Sequence, residues 1–292
     1  MTPKRIVFRS IVRTLEAITM MLPPRRTCNL QVRPADSPHL DIITVAFNNA
    51  ELIRLQHKFV ERFICDPHQQ IIVDNSTKPE VRKEIYDFCK TNGLTYLGMP
   101  SNLLNRIGGS YSHAMTLNYI YRRLIRKRKP FAFGQIDHDL FPVQPISILE
   151  KLERQPIYGP LRDRGNEWYL SAIMSFFRFD FVQNKKVDFL PVTPTNNYLD
   201  SGGGNWYHIY SQLDKNTLVF PNECIEPIRE GGDRHRDSLE YFDNKAWLHT
   251  INGSCWKPVD AGKDHLVQGI LNSYLSSANS LRNYAFSHHL HL

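Results

Sequence analysis

The chain lacks any run of about 18 consecutive apolar residues, so no segment reads as a membrane-spanning helix. It also lacks a Cys-x-x-Cys pair, and its five cysteines, Cys28, Cys65, Cys89, Cys224 and Cys255, lie far apart. An odd, scattered set argues against a zinc ribbon or a disulfide framework and makes a reducing cytoplasm the expected location. There is no internal repeat and no low-complexity tract. Glycine (15) and proline (18) are near ordinary usage in 292 residues, which excludes collagen-like and fully disordered chains. Acidic residues are the scarcer charge, 29 against 36 Lys and Arg, leaving a net +7. That balance favours anionic partners, whether nucleotides, phospholipid head groups or nucleic acid.

What is present begins with an amphipathic segment. Val7, Ile11, Leu15, Ile18 and Leu22 recur at helical spacing between Lys4, Arg5, Arg9 and Arg13, and Pro23-Pro24 ends the run. Arg13 and Glu16 interrupt the apolar core that a signal peptide needs. A cationic helix of this kind suits an acidic membrane surface, so residues 1–22 are a candidate for peripheral membrane contact; packing on the domain uses the same pattern. Residues 25–39, with Pro34 and Pro38, read as a linker, which makes 1–39 an N-terminal helix-and-linker unit.

From Leu40 strands and helices alternate. Leu40–Phe47 is a β-branched run, followed by a helix from Ala50 to Ile64. Gln70–Val73 is a strand, Pro79–Asn92 a helix stopped by Gly93, and Leu94–Leu97 a third strand. A helix spans Tyr111–Lys127, and Pro130–Ile136 is a fourth strand running into Asp137-His138-Asp139. This rhythm predicts an α/β fold, a mostly parallel sheet flanked by helices with right-handed crossovers. Ligands bind at the C-terminal strand edge of such sheets, where Asn48, Asp74 and Asp137 fall. Further along, Leu170–Arg178 reads as a central strand, Ser201–Gln212 as a short helix, Thr217–Phe220 as a strand and Trp247–His249 as a short apolar element. The His-rich end, Ser287–Leu292, reads as a frayed tail.

Asp137-His138-Asp139 is the sharpest chemical feature. Two carboxylates at i and i+2 on an irregular strand end can turn toward one hard cation, Mn2+ or Mg2+, which would offset the charge of a diphosphate leaving group.

The order of motifs resembles the nucleotide-sugar-dependent glycosyltransferases of the GT-A fold, closest to the family-2 type. Those motifs are Asn48-Asn49 after the first strand, Ile72-Val73-Asp74-Asn75-Ser76, Ser112–Asn118, Asp137-His138-Asp139, Leu199-Asp200-Ser201-Gly202-Gly203 and His249. The resemblance implies a GT-A, Rossmann-like catalytic domain over residues 40–258, with a mixed acceptor-side half and a C-terminal helical extension over 259–292. It implies a transferase for hexosyl or related units, of the inverting type, using a UDP- or GDP-sugar and a glycan or lipid-linked acceptor.

By the same resemblance Asp137, Asp139 and His249 are the metal set. Phe47, Asn48, Asn49, Asp74, Asn102, Arg106, Gly108, Gly109, His138 and Lys257 line the nucleotide sugar, and Asp74 would accept a hydrogen bond from the base. Asp200 is the candidate general base, with Asp233 and Asp163 in reserve. Trp168, Gly202, Gly203 and Trp206 are the acceptor-side candidates. Plainer roles stay open for several of these: an Asx-turn for Asp74, a helix cap for Asp200 and core packing for the tryptophans.

Two other functions fit parts of the pattern. A nucleotidyltransferase would use the same metal site, yet the loop Asn48-Asn49-Ala50-Glu51 lacks the Gly- and Lys-rich character that phosphate cradling asks for. A basic nucleic-acid-binding module is suggested by Arg122-Arg123 and Arg126-Lys127-Arg128-Lys129, without an accompanying aromatic motif, so no nucleic acid is expected.

Overall fold

The protein is described by a computed structural model over residues 3–30, 39–228, 237–251, 263 and 265–276. It opens with α1 (Pro3–Met21) and β1 (Arg26–Cys28). The alternating part comprises β2 (Leu40–Ala46), α2 (Ala50–Phe63), β3 (His68–Asp74), α3 (Pro79–Thr91), β4 (Thr95–Gly98), α4 (Gly109–Ile120) and, after a π turn, α5 (Arg126–Arg128) and β5 (Ala132–Asp137). Then come β6 (Leu140–Pro142), α6 (Ile148–Arg154), β7 (Ile157–Tyr158), β8 (Leu161–Arg164), β9 (Glu167–Leu170), β10 (Met174–Arg178) and α7 (Phe179–Val182). The last strands are β11 (Glu223–Pro227), β12 (Ser238–Phe242) and β13 (Trp247–His249).

Seven strands form the main sheet in the order β1-β4-β3-β2-β5-β10-β7. Strands β4, β3, β2 and β5 are parallel, while β1 and β10 run against their neighbours. The expected α/β class, a mostly parallel sheet flanked by helices, is therefore what the chain builds. Every residue of β2 is buried because both sheet faces are covered. Ile43 and Val45 share a core with Ala114, Met115 and Leu117 of α4. Ala46 and Ile72 share another with Ile53 of α2 and Ile85 of α3.

The topology selects one place on the sheet. From β2 the chain winds outward through β3 and β4, then returns to place β5 on the other side of β2. The crossovers diverge at the C-terminal ends of β2 and β5, leaving a crevice there. Val45 pairs with Asp137 across that boundary, and Ala46 pairs with Asp74 on the other flank.

A second sheet, β11-β12-β13-β6, is antiparallel and begins directly after Asp139. His249 pairs with Leu140 on one side and with Glu240 on the other. The second sheet thereby brings a late histidine back to the acidic turn.

Several elements depart from the sequence reading. Residues 25–39 were assigned to a linker, but Arg26–Cys28 pairs with β4 as an edge strand. Leu170–Arg178 splits: Leu170 ends β9, and Met174–Arg178 is the sixth strand of the sheet rather than a central one. In the β5–β10 pair Gly134 faces Phe176, whose ring covers it so that an added Cβ would come within 2.1 Å of the ring. Thr217–Phe220 is not a strand; a 3-10 turn (Lys215–Thr217) precedes it, and Gln155 bonds both backbone groups of Val219 at 2.8 Å. Ser201–Gln212 forms two 3-10 turns instead of an α-helix.

Helix α1 is amphipathic as read but leaves most of its apolar stripe in solvent. Val12, Glu16 and Thr19 are buried, whereas Val7, Ile11, Ile18 and Leu22 of the apolar stripe are exposed. Glu16 meets Arg13 at 2.7 Å, Asn118 at 2.9 Å and Arg122 at 3.3 Å. Arg13 also pairs with Asp188. The basic cluster that suggested nucleic acid is partly structural: Arg128 is a buried partner of Asp41 at 2.8 Å, and Arg123 donates to Met20 O at 2.6 Å.

Candidate functional site

The acidic turn sits where the topology leaves its crevice, and the chain fixes it from several sides. Gln56 of α2, fully buried, donates to Asp137 O at 2.6 Å and to Leu140 O at 2.8 Å, so one amide spans the turn. The Asp137 N–H donates to Ile173 O at 2.8 Å, and Thr250 N–H donates to Asp139 O at 3.0 Å. His138 Nδ1 lies 2.9 Å from Val45 O. A carbonyl only accepts, so Nδ1 carries the proton and Nε2 is left as an acceptor, which is buried and has no hydrogen-bond partner.

The side chains form a charged cluster. Asp139 Oδ1 lies 3.3 Å from His249 Nε2, and His249 Nδ1 lies 2.8 Å from Glu240 Oε2. Burial disfavours the charge on His249, yet Asp139 and Glu240 outweigh it and push the imidazole up to about 10. Glu240 is itself held below its ordinary value despite burial, by His249 and by Arg162 at 3.5 Å. Asp137 Oδ1 faces His113 Nε2 at 3.9 Å. Loss of water raises the Asp137 carboxyl; Asp139 adds to the rise, and His113, His138 and His249 oppose it. His113 is lowered, chiefly by burial, with Asp137 and Asp200 acting against the shift. His113 thus lies within electrostatic reach of Asp137, Asp139, His138 and Asp200, and Asp137 within reach of Asp139, His138 and His249.

The expected three-ligand metal set is not preassembled. Among the described residues no group of three or more His, Cys, Asp or Glu side chains is arranged to hold a metal ion. The physical reason is visible: His249 spends its Nε2 on Asp139 as an ion pair. The donors nonetheless suit a hard divalent cation, because two carboxylates and an imidazole are what Mn2+ or Mg2+ accepts. Glu240, behind His249, is the outer carboxylate such a histidine needs for orientation.

Asp200 precedes the glycine triplet and bonds locally: Oδ1 accepts from Ser201 N–H at 2.8 Å and from Tyr198 O–H at 3.4 Å. Ser201 Oγ donates to Ser110 O at 2.7 Å, tying this loop to the first turn of α4, two residues before Ser112 and His113. Gly202 has φ +92°, and a Cβ on Gly203 would come within 2.4 Å of Leu199. Both glycines are required by the backbone's own packing, not shown as acceptor contacts.

Other expected site residues have different surroundings. Asp74 is fully buried; Ser76 N–H and Tyr96 O–H occupy its two oxygens at 2.8 Å each. That is the Asx-turn role, with one partner already on each oxygen of this buried carboxylate. Asn102 is buried, its amide donating to Asn75, Ser112 and Thr116 while its carbonyl takes Leu104 N–H. Asn49 caps α2, and Asn48 bridges to Thr77 and Lys78, so the half-exposed loop Phe47–Asn49 is held at the sheet edge. Arg106 and Gly109 are exposed beside half-buried Gly108, with open space about both glycines.

Trp168 is core, tilted against Tyr210 with ring centroids 5.1 Å apart, and Trp206 packs partly on the same core. Asp163 pairs with Lys215 at 2.7 Å on the β8–β9 hairpin, which lowers its carboxyl and leaves it no part in the cluster. Asp233 and Lys257 lie outside the described residues. The sequence reading did not mark His113 or Glu240 as site residues. His113 stood inside a quoted motif, but only the fold shows that α4 points it at Asp137.

A groove of about 230 Å³ opens at Tyr198, whose hydroxyl bonds Asp200 at 3.4 Å. Tyr111, Tyr198 and Val192 line it from the domain, and Arg5, Arg9 and Arg13 line it from α1.

No protein-family model matches the chain, and no curated protein matches it. Among solved structures, a mannosyltransferase from Pyrobaculum calidifontis in complex with GDP-Man and Mn2+ is similar to it at 12% identity and a TM-score of 0.36. The match covers 61% of this chain and 56% of that one.

Proposed function

We propose that the chain is a metal-dependent glycosyltransferase of GT-A type, moving a hexosyl or related unit from a UDP- or GDP-sugar to a hydroxyl of a glycan or lipid-linked acceptor. One observation carries this reading: at the crevice of the sheet, Asp139 pairs with His249 and Asp137 faces His113 across a turn bonded by Gln56 and by Val45 O, with Asp200 within electrostatic reach of His113.

Asp137, Asp139 and His249 are the residues that would hold Mn2+ or Mg2+, and the bound cation offsets the charge that builds on the departing diphosphate. Glu240 keeps the Nδ1 proton of His249 and so aims Nε2 at Asp139. His249 would serve as a ligand through Nε2 only in its neutral form, so holding a cation there would require loss of the Nε2 proton. The loop Phe47–Asn49, at the same edge, would line the nucleotide.

Asp200 is the proposed base. It takes the acceptor hydroxyl proton as that oxygen bonds to the anomeric carbon and the bond from that carbon to the diphosphate oxygen breaks. Attack from the face opposite the leaving group gives inversion. The Ser201 N–H fixes one oxygen of Asp200, and the groove at Tyr198 gives an acceptor its approach. Rigid placement supplies much of the rate, since orientation alone is worth on the order of 7–11 kcal/mol in well-aligned reactions.

The test is sugar transfer and donor hydrolysis by Asp139→Ala. Near-total loss with an unchanged melting profile is expected; full activity in that variant rejects the metal role.

A further inference from the structure

Helix α1 packs Val12, Leu15 and Met20 on the core together with the polar Glu16 and Thr19, and leaves a separate set of apolar side chains in solvent. Its inner side carries Glu16 and Arg13, bonded to Asn118, Arg122 and Asp188. At 100° per residue, the arc opposite Val12, Glu16 and Thr19 holds Ile6, Val7, Ser10, Ile11, Thr14, Ala17, Ile18 and Met21, with no charge among them. Seven of the thirteen exposed large hydrophobic side chains of the described residues lie between Ile6 and Leu22. Met21 is 73% exposed and Val7 60%. A helix that needs only water outside places these residues the other way round, so the outer arc points to an apolar partner.

The surrounding charge narrows the partner. Lys4, Arg5 and Arg9 on the helix, Arg25 and Arg26 just beyond it, and Arg126 and Lys127 at the end of α4–α5 are exposed. Arg123 ties that basic end to the C-terminus of α1 by donating to Met20 O and Leu22 O. A mainly apolar, uncharged outer arc, with cations at the start of the helix and beside its C-terminus, complements an acidic bilayer: apolar side chains in the acyl boundary, cations among the phosphates. Among the described residues no helix is long and apolar enough to cross a membrane, which leaves an in-plane seat.

We infer that α1 lies in the interface of an acidic phospholipid bilayer with its Ile6–Met21 arc facing the acyl chains. The groove at Tyr198 is lined by Arg5, Arg9 and Arg13 of this same helix, so the seat places it at head-group level. An acceptor carried on a phosphate-bearing lipid then reaches Asp200 without leaving the membrane; this last step rests on the function proposed above.

The experiment is co-sedimentation of the full chain with phosphatidylglycerol–phosphatidylcholine vesicles and with pure phosphatidylcholine vesicles, comparing the native chain with Val7→Ser/Ile11→Ser/Ile18→Ser. These side chains are exposed, so the variant keeps its melting profile. The native chain is expected to sediment with acidic vesicles, less with neutral ones and less at high salt, and the triple variant to lose on the order of 100-fold in partitioning. Absence of native sedimentation, or equal partitioning of the variant, overturns the inference. So does a lipid-free dimer that the triple substitution converts to monomer, because the arc then serves a second copy. Nucleotide-sugar binding is read without lipid, so failure here is distinguishable from failure of the proposed activity.

Discussion

The docking of α1 rests on Asp188, so Asp188→Asn is an incisive perturbation. The native carboxylate accepts from Arg13, from Asn118 at 3.2 Å and from Leu190 N–H at 3.1 Å, and its side chain is only 5% exposed. The amide keeps the shape and removes the charge, leaving Arg13 facing Glu16 alone. Breaking a buried pair costs about 3–5 kcal/mol when the survivor stays dry. The Arg13 side chain is 29% exposed and keeps some water, which places the expected loss near the lower end, about 3 kcal/mol. At roughly 2 °C per kcal/mol for a chain of this size, the melting temperature falls by about 6 °C.

The pH dependence has a definite sign. Asp188 is held below its ordinary value, with burial opposing and Arg13 and Asn118 favouring ionisation. A depressed carboxylate contributes stability above its unfolded pKa of about 3.9 and loses it as pH falls through the folded value. The gap between native and variant is therefore constant from about pH 5 to 8 and closes on acidification. Thermal melts across that range, with limited proteolysis near Pro23, provide the reading. A variant that melts within about 1 °C of the native chain at pH 7, with α1 no more accessible to protease, refutes the docking argument.

Three further outcomes are expected. Glu240→Gln removes the outer carboxylate of His249 and weakens Mn2+ affinity by about 10–100-fold, read by titration against the native chain. Gln56→Leu leaves Asp137 O and Leu140 O without their shared donor, and is expected to cost about 2 kcal/mol in a denaturant melt and to reduce nucleotide-sugar binding while Asp137 and Asp139 are intact. Gly134→Ala places a methyl within 2.1 Å of Phe176 and within 2.6 Å of Ser175 O, so β5 and β10 must separate. A loss of about 3 kcal/mol or insoluble protein is expected, and a native melting profile contradicts the pairing.

The parallel half of the fold was legible because its code is local. Leu40–Ala46 is a β-branched, mostly apolar run, Asn49 caps the next helix and Gly93 stops α3, each within a few residues of the element it governs. The strand-end position of Asp137 follows from that rhythm alone. What was misread depends on partners distant in sequence. β1 is a strand only because β4 offers its edge. The apolar run at β10 lies off-centre because it pairs antiparallel with β5, a partner that no window around Leu170 contains. Which face of α1 docks is left open by the sequence, and Glu16 and Arg13 turn inward because Asn118, Arg122 and Asp188 meet them. At the site, Asp74 and Asn102 had the right residue types, but Tyr96 and Ser112, brought in by neighbouring elements, already use their polar atoms. Conversely, His113 and Glu240 gave no local signal, since each gains its meaning only when α4 and β12 are set against β5 and β13.

The central claim is that the acidic turn at the sheet crevice receives a divalent cation together with the diphosphate of an activated sugar. The direct measurement is a thermal-shift panel of UDP- and GDP-sugars, each with and without Mn2+, on the native chain and on Asp137→Asn and Asp139→Asn. The account predicts stabilisation by at least one nucleotide sugar that requires Mn2+ and disappears in both variants. Stabilisation that is independent of Mn2+, or that survives loss of both carboxylates, contradicts it.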